Sequence, residues 1–263
     1  MINNKELRKA QLKMVDILDA IDVICSKHKI EYWVAYGTLL GAVRHKGFIP
    51  WDDDCDICMM RKDYDKFVEV AKKELPKNMF FQDRYTDPGY KRSISKVRMN
   101  DTKLIEFCET DHENFHQGIY VDVFVFDYYV EPFPTIIKNI EFINNFKYYR
   151  KKFPKGSLKR TLVSLGVAIP YVFLSTTKKI TKALSILFKS NDKLTQIGLE
   201  VNNTDYKFFN KNLVFPLKRT EIFEGRKFYV PNNCDAVLKI QYGDYMQILP
   251  EEYRQSHAKY IEC

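Results

Sequence analysis

The chain has 263 residues, 45% of them hydrophobic and 29% charged, a globular composition that excludes wholesale disorder. Forty-two lysines and arginines against 34 acids leave a net charge of +8, which suits an anionic partner or surface. No apolar run reaches the roughly 18–20 residues of a membrane-spanning helix, and the opening Met1-Ile2-Asn3-Asn4-Lys5-Glu6 lacks the apolar core of a signal peptide, so a secreted or integral membrane protein is not expected.

Residues 5–28 place Leu7, Ala10, Met14, Ile17, Leu18, Ile21, Ile24 and Cys25 at three-and-four spacing, which predicts an amphipathic helix. Tyr32-Trp33-Val34-Ala35-Tyr36 is rich in strand formers and runs into Gly37-Thr38, where Thr38 can cap a short helix through Val43. Gly47 and Pro50 break the chain before an acidic strand, Asp54 to Met59. A helix over Tyr64–Leu75 ends at Pro76, and further strands are expected at Met79–Gln82, Ile94–Met99, Leu104–Phe107 and Ile119–Phe126. That order predicts an α/β (α+β) sheet domain over residues 1–130.

Residues 131–200 differ in character. Between 135 and 190 stand twelve basic residues and one acid, Glu141, a local charge of +11 that leaves −3 for the rest of the chain. Thr161–Leu174 is apolar but only 14 residues long and contains Pro170. The segment reads as a basic helical insertion, either with a solvated face or lying on an anionic membrane surface. Residues 201–263 return to mixed character: Phe223 to Pro231 reads as a hairpin, and Asn232-Asn233 can cap a helix through Gln241 that Gly243 terminates.

Six cysteines at 25, 55, 58, 108, 234 and 263 are too scattered for a disulfide framework and are read as reduced thiols. Residues three apart on a strand point to opposite faces, so Cys55 and Cys58 do not form a metal site.

The most informative stretch is Pro50-Trp51-Asp52-Asp53-Asp54-Cys55-Asp56-Ile57, with four carboxylates in five residues. On a strand, Asp54 and Asp56 share a face. Two carboxylates about 4 Å apart repel by something like 4 kcal/mol at an effective dielectric near 20. A divalent cation turns that repulsion into a binding site, and oxygen-only ligands favour Mg²⁺ or Mn²⁺. Gly37 and Thr38, just upstream at a strand-to-helix turn, offer amides and a hydroxyl to a phosphate. Asp122, inside the apolar run Tyr120 to Phe126, is a third acid that needs compensation, whereas Asp127 at the strand's end has the simpler role of capping a turn. Carboxylates beside a phosphate cradle point to metal-assisted phosphoryl transfer.

At these residues the sequence resembles the LicD family of phosphocholine transferases, within the nucleotidyltransferase-fold superfamily that includes fukutin and fukutin-related protein. The resemblance runs through Tyr36 to His45, Phe48 to Ile57, Lys96-Val97-Arg98, Asp122-Val123-Phe124, Val230-Pro231 and Tyr242-Gly243-Asp244-Tyr245-Met246. It implies a mixed β-sheet flanked by helices, with Gly37-Thr38 as the superfamily's turn, Asp54 and Asp56 as its metal pair and Asp122 as its third acid. Cys55 stands where family members often have a branched aliphatic residue, and Phe124-Val125-Phe126-Asp127 replaces a more usual Phe-Pro-Leu-Asp. The implied reaction moves phosphocholine from CDP-choline to a hydroxyl of a cell-surface glycan such as lipopolysaccharide or teichoic acid, releasing CMP. Asp54 and Asp56 would hold Mg²⁺ (or Mn²⁺) against the diphosphate, and Asp122 would complete the site and take the hydroxyl proton.

Lys96 and Arg98 read either as groups that neutralise the departing nucleotide or as exposed sheet residues. Arg44, His45 and Lys46 form a basic cluster facing the same region. Trp51 or Tyr36 can hold a trimethylammonium group or simply pack. His116 and His257 have no partner that the sequence reveals. Donors carrying another CDP-linked alcohol, and a non-catalytic polyanion- or membrane-binding role for 135–190, are the competing readings. Nucleic acid is not an expected partner, because no recognition motif accompanies Tyr148, Tyr149 and Phe153. The expected place is the cytoplasmic, inner face of a bacterial membrane, where activated donors meet lipid-linked glycans.

Overall fold

A computed structural model describes residues 3–129, 195–199, 208–254 and 256–263. The chain divides into two compact units, residues 1–126 with 211–263, and residues 127–210. Elements are numbered below over the described residues. The basic insertion expected between 135 and 190, with its apolar stretch Thr161–Leu174 and its aromatics, lies outside them.

The first unit opens on α1 (Asn4–His28), where the Asn3 side chain accepts the Lys5 N–H at 2.9 Å and Lys29 ends the helix at φ 54°. All eight residues of its predicted apolar stripe are buried. Then follow β1 (Trp33–Val34), α2 (Tyr36–His45), β2 (Asp56–Met60), α3 (Arg61–Glu74), β3 (Met79–Gln82), β4 (Ser95–Met99), β5 (Lys103–Glu106) and β6 (Tyr120–Tyr129), whose last three residues belong to the second unit. The main sheet has the order β1-β2-β6-β4-β3. β2 and β6 run parallel, and the other neighbours are antiparallel. All five residues of β2 are buried, as expected for a strand covered on both faces.

In the second unit β7 (Gln196–Leu199) pairs antiparallel with β8 (Phe208–Asn210), and the Tyr129 hydroxyl donates to the Leu199 carbonyl at 2.6 Å. The chain re-enters the first unit through α4 (Lys211–Val214), the hairpin β9 (Ile222–Phe223) and β10 (Arg226–Lys227), α5 (Cys234–Tyr242), a 3₁₀ turn at Glu251–Tyr253 and β11 (Ala258–Glu262). β11 pairs antiparallel with β5, with a bulge between Ala258 and Tyr260. Asn233 caps α5 by accepting the Ala236 N–H at 3.0 Å, and Gly243 ends it at φ 69°.

Four expectations shift. The aromatic run 32–36 gives a two-residue strand because the backbone turns at Tyr36, which takes the left-handed φ of 47° at the start of α2. The cap of α2 is Ala35, with no side-chain hydrogen bond, since Thr38 lies inside the helix and faces β2. The acidic strand begins at Asp56, so Asp54 stands on the loop ahead of it and strand alternation does not orient Asp54. β6 continues to Tyr129, which places Asp127 inside a buried strand and not at a turn.

Candidate active site

The site is assembled where α2, β2 and β6 are knitted together by backbone. The Asp56 N–H donates to Thr38 Oγ1 at 2.8 Å, the Ala35 N–H to the Asp56 carbonyl at 3.0 Å, and the Asp122 N–H to the Cys55 carbonyl at 2.8 Å. The Thr38 hydroxyl thus fixes the entry of the acidic strand. A Cβ on Gly37 would stand 2.6 Å from Asp52 Oδ2, so the glycine is what lets this carboxylate lie against the turn.

Strand register brings the acids together. Asp56 lies directly opposite Asp122, and Asp122 directly opposite Lys96 on its other side. Residues so paired project to one face, giving a polar row across three central strands. Asp56, Asp122 and Lys96 are all buried. Lys96 Nζ is 2.8 Å from Asp122 Oδ1 and 3.4 Å from Glu106 Oε1, and it lies 3.2 Å from the centroid of the Tyr120 ring.

This row carries more negative charge than its own cations balance. Burial, then the Asp54, Asp122 and Asp52 carboxylates, push Asp56 well above the usual carboxylate range, with Lys96 pulling the other way. Burial, then Asp54 and Asp53, do the same to Asp52. Asp122 is also raised by burial, against the opposing pull of Lys96. Asp52 Oδ2 is buried with no hydrogen-bond partner. A buried carboxylate oxygen without a donor, amid acids that raise one another, fits a site that takes up a cation.

Asp53 meets opposite surroundings. It accepts from Ser256 Oγ at 2.6 Å, from the His257 N–H at 3.1 Å and from the Ala258 N–H. Burial alone would raise its carboxyl, but these donors together with the His257 ring hold it below the usual range. His257 Nδ1 lies 3.4 Å from Asp53 and 3.2 Å from Asp54, and hydrogen bonding to both pushes the imidazole up to about 11. Asp53, Asp54 and His257 are the group, among the described residues, whose ligand-type atoms all lie within 4.8 Å of one another. With Asp53 already holding three donors and His257 held as a cation, that trio is a clamp of β11 onto the acidic loop.

The remaining expected residues have these places. Arg98 is fully buried: Nε donates to Gln82 Oε1 and Nη1 to the Gly118 carbonyl, both at 2.6 Å, and its guanidinium lies 4.9 Å from the Tyr120 ring. Neither Lys96 nor Arg98 is an exposed sheet residue: both are buried, Lys96 against Glu106 of β5 and Arg98 against Gln82 and Gly118. Arg44 donates to the Tyr245 carbonyl at 2.5 Å and the Gln247 carbonyl at 3.2 Å, and Lys46 pairs with Glu221 at 3.0 Å. Trp51 carries the Arg254 guanidinium at 4.2 Å, and Tyr36 packs against Phe124 at 5.0 Å. His116 stacks on Phe80 and receives the Gly118 N–H at 2.9 Å. All six cysteines are free.

Glu106 is the residue that sequence reasoning passed over. It takes Arg92 Nη1 at 2.7 Å, the Tyr120 hydroxyl at 3.0 Å and Lys96. Burial would raise it, but Lys96 and Arg92 prevail and hold it down to about 2. An acid inside the apolar run Leu104-Ile105-Glu106-Phe107 carries the same signal as Asp122. His257 had no such signal, since it meets Asp53 from 204 positions away.

The family model described as LicD/FKTN/FKRP, nucleotidyltransferase domain, matches residues 29–172. The chain is 30% identical over 262 residues to the lipopolysaccharide cholinephosphotransferase LicD of Haemophilus influenzae, covering 95% of each protein. It is also 32% identical over 153 residues to an uncharacterized protein of Rickettsia prowazekii, covering 57% of this chain and 50% of that one. The matched span contains Gly37, Thr38, all four clustered aspartates, Lys96 and Asp122, and on this evidence the chain belongs to the LicD family.

Proposed function

We propose that this transferase moves phosphocholine from CDP-choline to a hydroxyl of a cell-surface glycan, lipopolysaccharide or teichoic acid, and releases CMP. The observation that carries the reading is the near end-to-end match to a lipopolysaccharide cholinephosphotransferase. The acidic row supports it as the place where a diphosphate is handled.

The acceptor oxygen attacks the phosphorus that bears choline, the bond from that phosphorus to the bridging oxygen breaks, and the electron pair leaves with CMP. The hydroxyl proton passes to Asp122, whose raised carboxyl suits a base at the row's centre. Asp54 and Asp56 would hold a divalent ion, Mg²⁺ or Mn²⁺, with Asp52 beside them. When bound, the ion neutralises charge on the diphosphate and the departing CMP. Gly37 and the backbone of the turn receive a phosphate, Thr38 positions Asp56, and Arg98 braces the strand that presents Lys96. Arg44 holds the Tyr245–Gln247 backbone beside the end of α2.

No helix among the described residues is long and apolar enough to cross a membrane. The charge of +11 over 135–190 supports peripheral association with the inner face of a bacterial membrane, and co-sedimentation with anionic but not neutral vesicles tests it. The reaction is tested by incubating purified protein with CDP-choline, other CDP-alcohols, acceptor glycan and Mg²⁺ while following CMP. Release dependent on acceptor and on CDP-choline is expected. Release only with a CDP-polyol assigns a different donor, and none with any donor removes the proposal.

A further inference from the structure

Among the described residues, Lys96 is a buried cation of the protein's own on the acid row. Lys96 Nζ sits on Asp122 at 2.8 Å with only 3% of its side chain exposed. Its position is built from three sides: the Asp122 carboxylate, the Glu106 carboxylate at 3.4 Å and the face of the Tyr120 ring at 3.2 Å. Glu106 in turn is fixed by Arg92 and by the Tyr120 hydroxyl, and Arg92 is fixed on its far side by Glu109 at 2.8 Å. A lysine held between two carboxylates and a ring face, with 3% of its side chain exposed, does not readily retreat into solvent when a metal arrives.

Metal-assisted phosphoryl transfer often uses two ions about 3.5–4 Å apart, bridged by carboxylates. Here one end of the row is taken. A second dication on Asp122 would have to share that carboxylate with an ammonium, and like charges at contact distance inside a buried layer repel strongly. At the other end Asp54 meets the His257 ring at 3.2 Å, but that side chain is 63% exposed and has solvent to move into when a metal arrives. Asp52 Oδ2 and Asp122 Oδ1 are both buried oxygens without a hydrogen-bond partner, and it is Asp122 Oδ1 that has the Lys96 ammonium 2.8 Å away.

We propose that the Lys96 ammonium, held on Asp122 by Glu106 and Tyr120, replaces a second metal ion, so that each chain binds a single divalent cation at the Asp54–Asp56 end of the row. This inference rests on the metal-dependent reading above. It gives Lys96 a fixed charge-neutralising place beside Asp122 and makes Glu106 a positioning residue acting through Lys96.

The test is Mn²⁺ binding to the full chain at neutral pH without donor, counted by calorimetry and by the loss of free-ion electron paramagnetic resonance signal. The parent protein is expected to bind one Mn²⁺, Asp54→Asn to bind none, and Lys96→Met, nearly isosteric, to bind two. In Lys96→Met the bound ion also restores a thermal midpoint lowered by removal of the ammonium. Two ions in the parent, or one in Lys96→Met, overturn this inference while the metal-dependent reading stands. An ion retained by Asp54→Asn overturns its placement. No ion in the parent overturns both readings. The parent stoichiometry decides even where Lys96→Met does not fold.

Discussion

Asp53 and Asp56 lie three positions apart and have opposite surroundings. Asp53 meets a hydroxyl, two backbone N–H groups and an imidazolium from the 256–258 segment, and its charge is satisfied. Asp56 meets Asp52, Asp54 and Asp122, with the pull of Lys96 opposing them. One carboxylate is spent on holding the fold and the other is kept short of partners. A buried charge with donors stabilises a structure, and a buried charge among like charges is a reservoir that a ligand relieves.

The contrast is broken or sharpened most strongly at these two positions. Asp56→Asn removes a like charge from the row. Turnover should fall by ~10³-fold or more while stability rises by about 1 kcal/mol, read by CMP release and urea unfolding. Asp53→Asn should do the reverse, losing about 2–3 kcal/mol of stability while the folded fraction keeps its turnover at permissive temperature. Both variants losing stability alike would erase the distinction.

Glu106 extends it to pH. Its carboxyl is held down to about 2 from an ordinary 4.5, so its contribution is fully present above about 4.5 and is lost as pH falls through 2. The shift corresponds to something on the order of 3 kcal/mol. Glu106→Gln should flatten the acid limb of stability in that window, measured as urea midpoints between pH 5 and 2, and an unchanged limb would remove Glu106 from the network.

Smaller effects follow from the turn. Gly37→Ala places a methyl 2.6 Å from Asp52 Oδ2, so the carboxylate must move. The expected result is a loss of about 1–2 kcal/mol together with weaker Mn²⁺ binding. Thr38→Val leaves the Asp56 N–H without its acceptor and should cost about 1 kcal/mol. His257→Ala should cost least, because the ring is 63% exposed and solvent screens its ion pairs.

Much of this was written locally. The stripe from Leu7 to Cys25 made α1, Asn233 and Gly243 bounded α5, and an acid inside an apolar run marked Asp122 before any strand was paired. Periodicity and capping depend on neighbours within a few residues, and a sequence displays those directly. The run Asp52-Asp53-Asp54-Cys55-Asp56 likewise announced a site.

What the run did not say was which acid does which job. Asp53 is a clamp because Ser256, His257 and Ala258 arrive from more than 200 positions away. Asp56 faces Asp122, and Asp122 faces Lys96, because β2, β6 and β4 pair in one register, and a slip of one residue would turn the row to the other face. Chemical character is local, but the electrostatic surroundings of a buried charge are set by groups that only folding brings within reach.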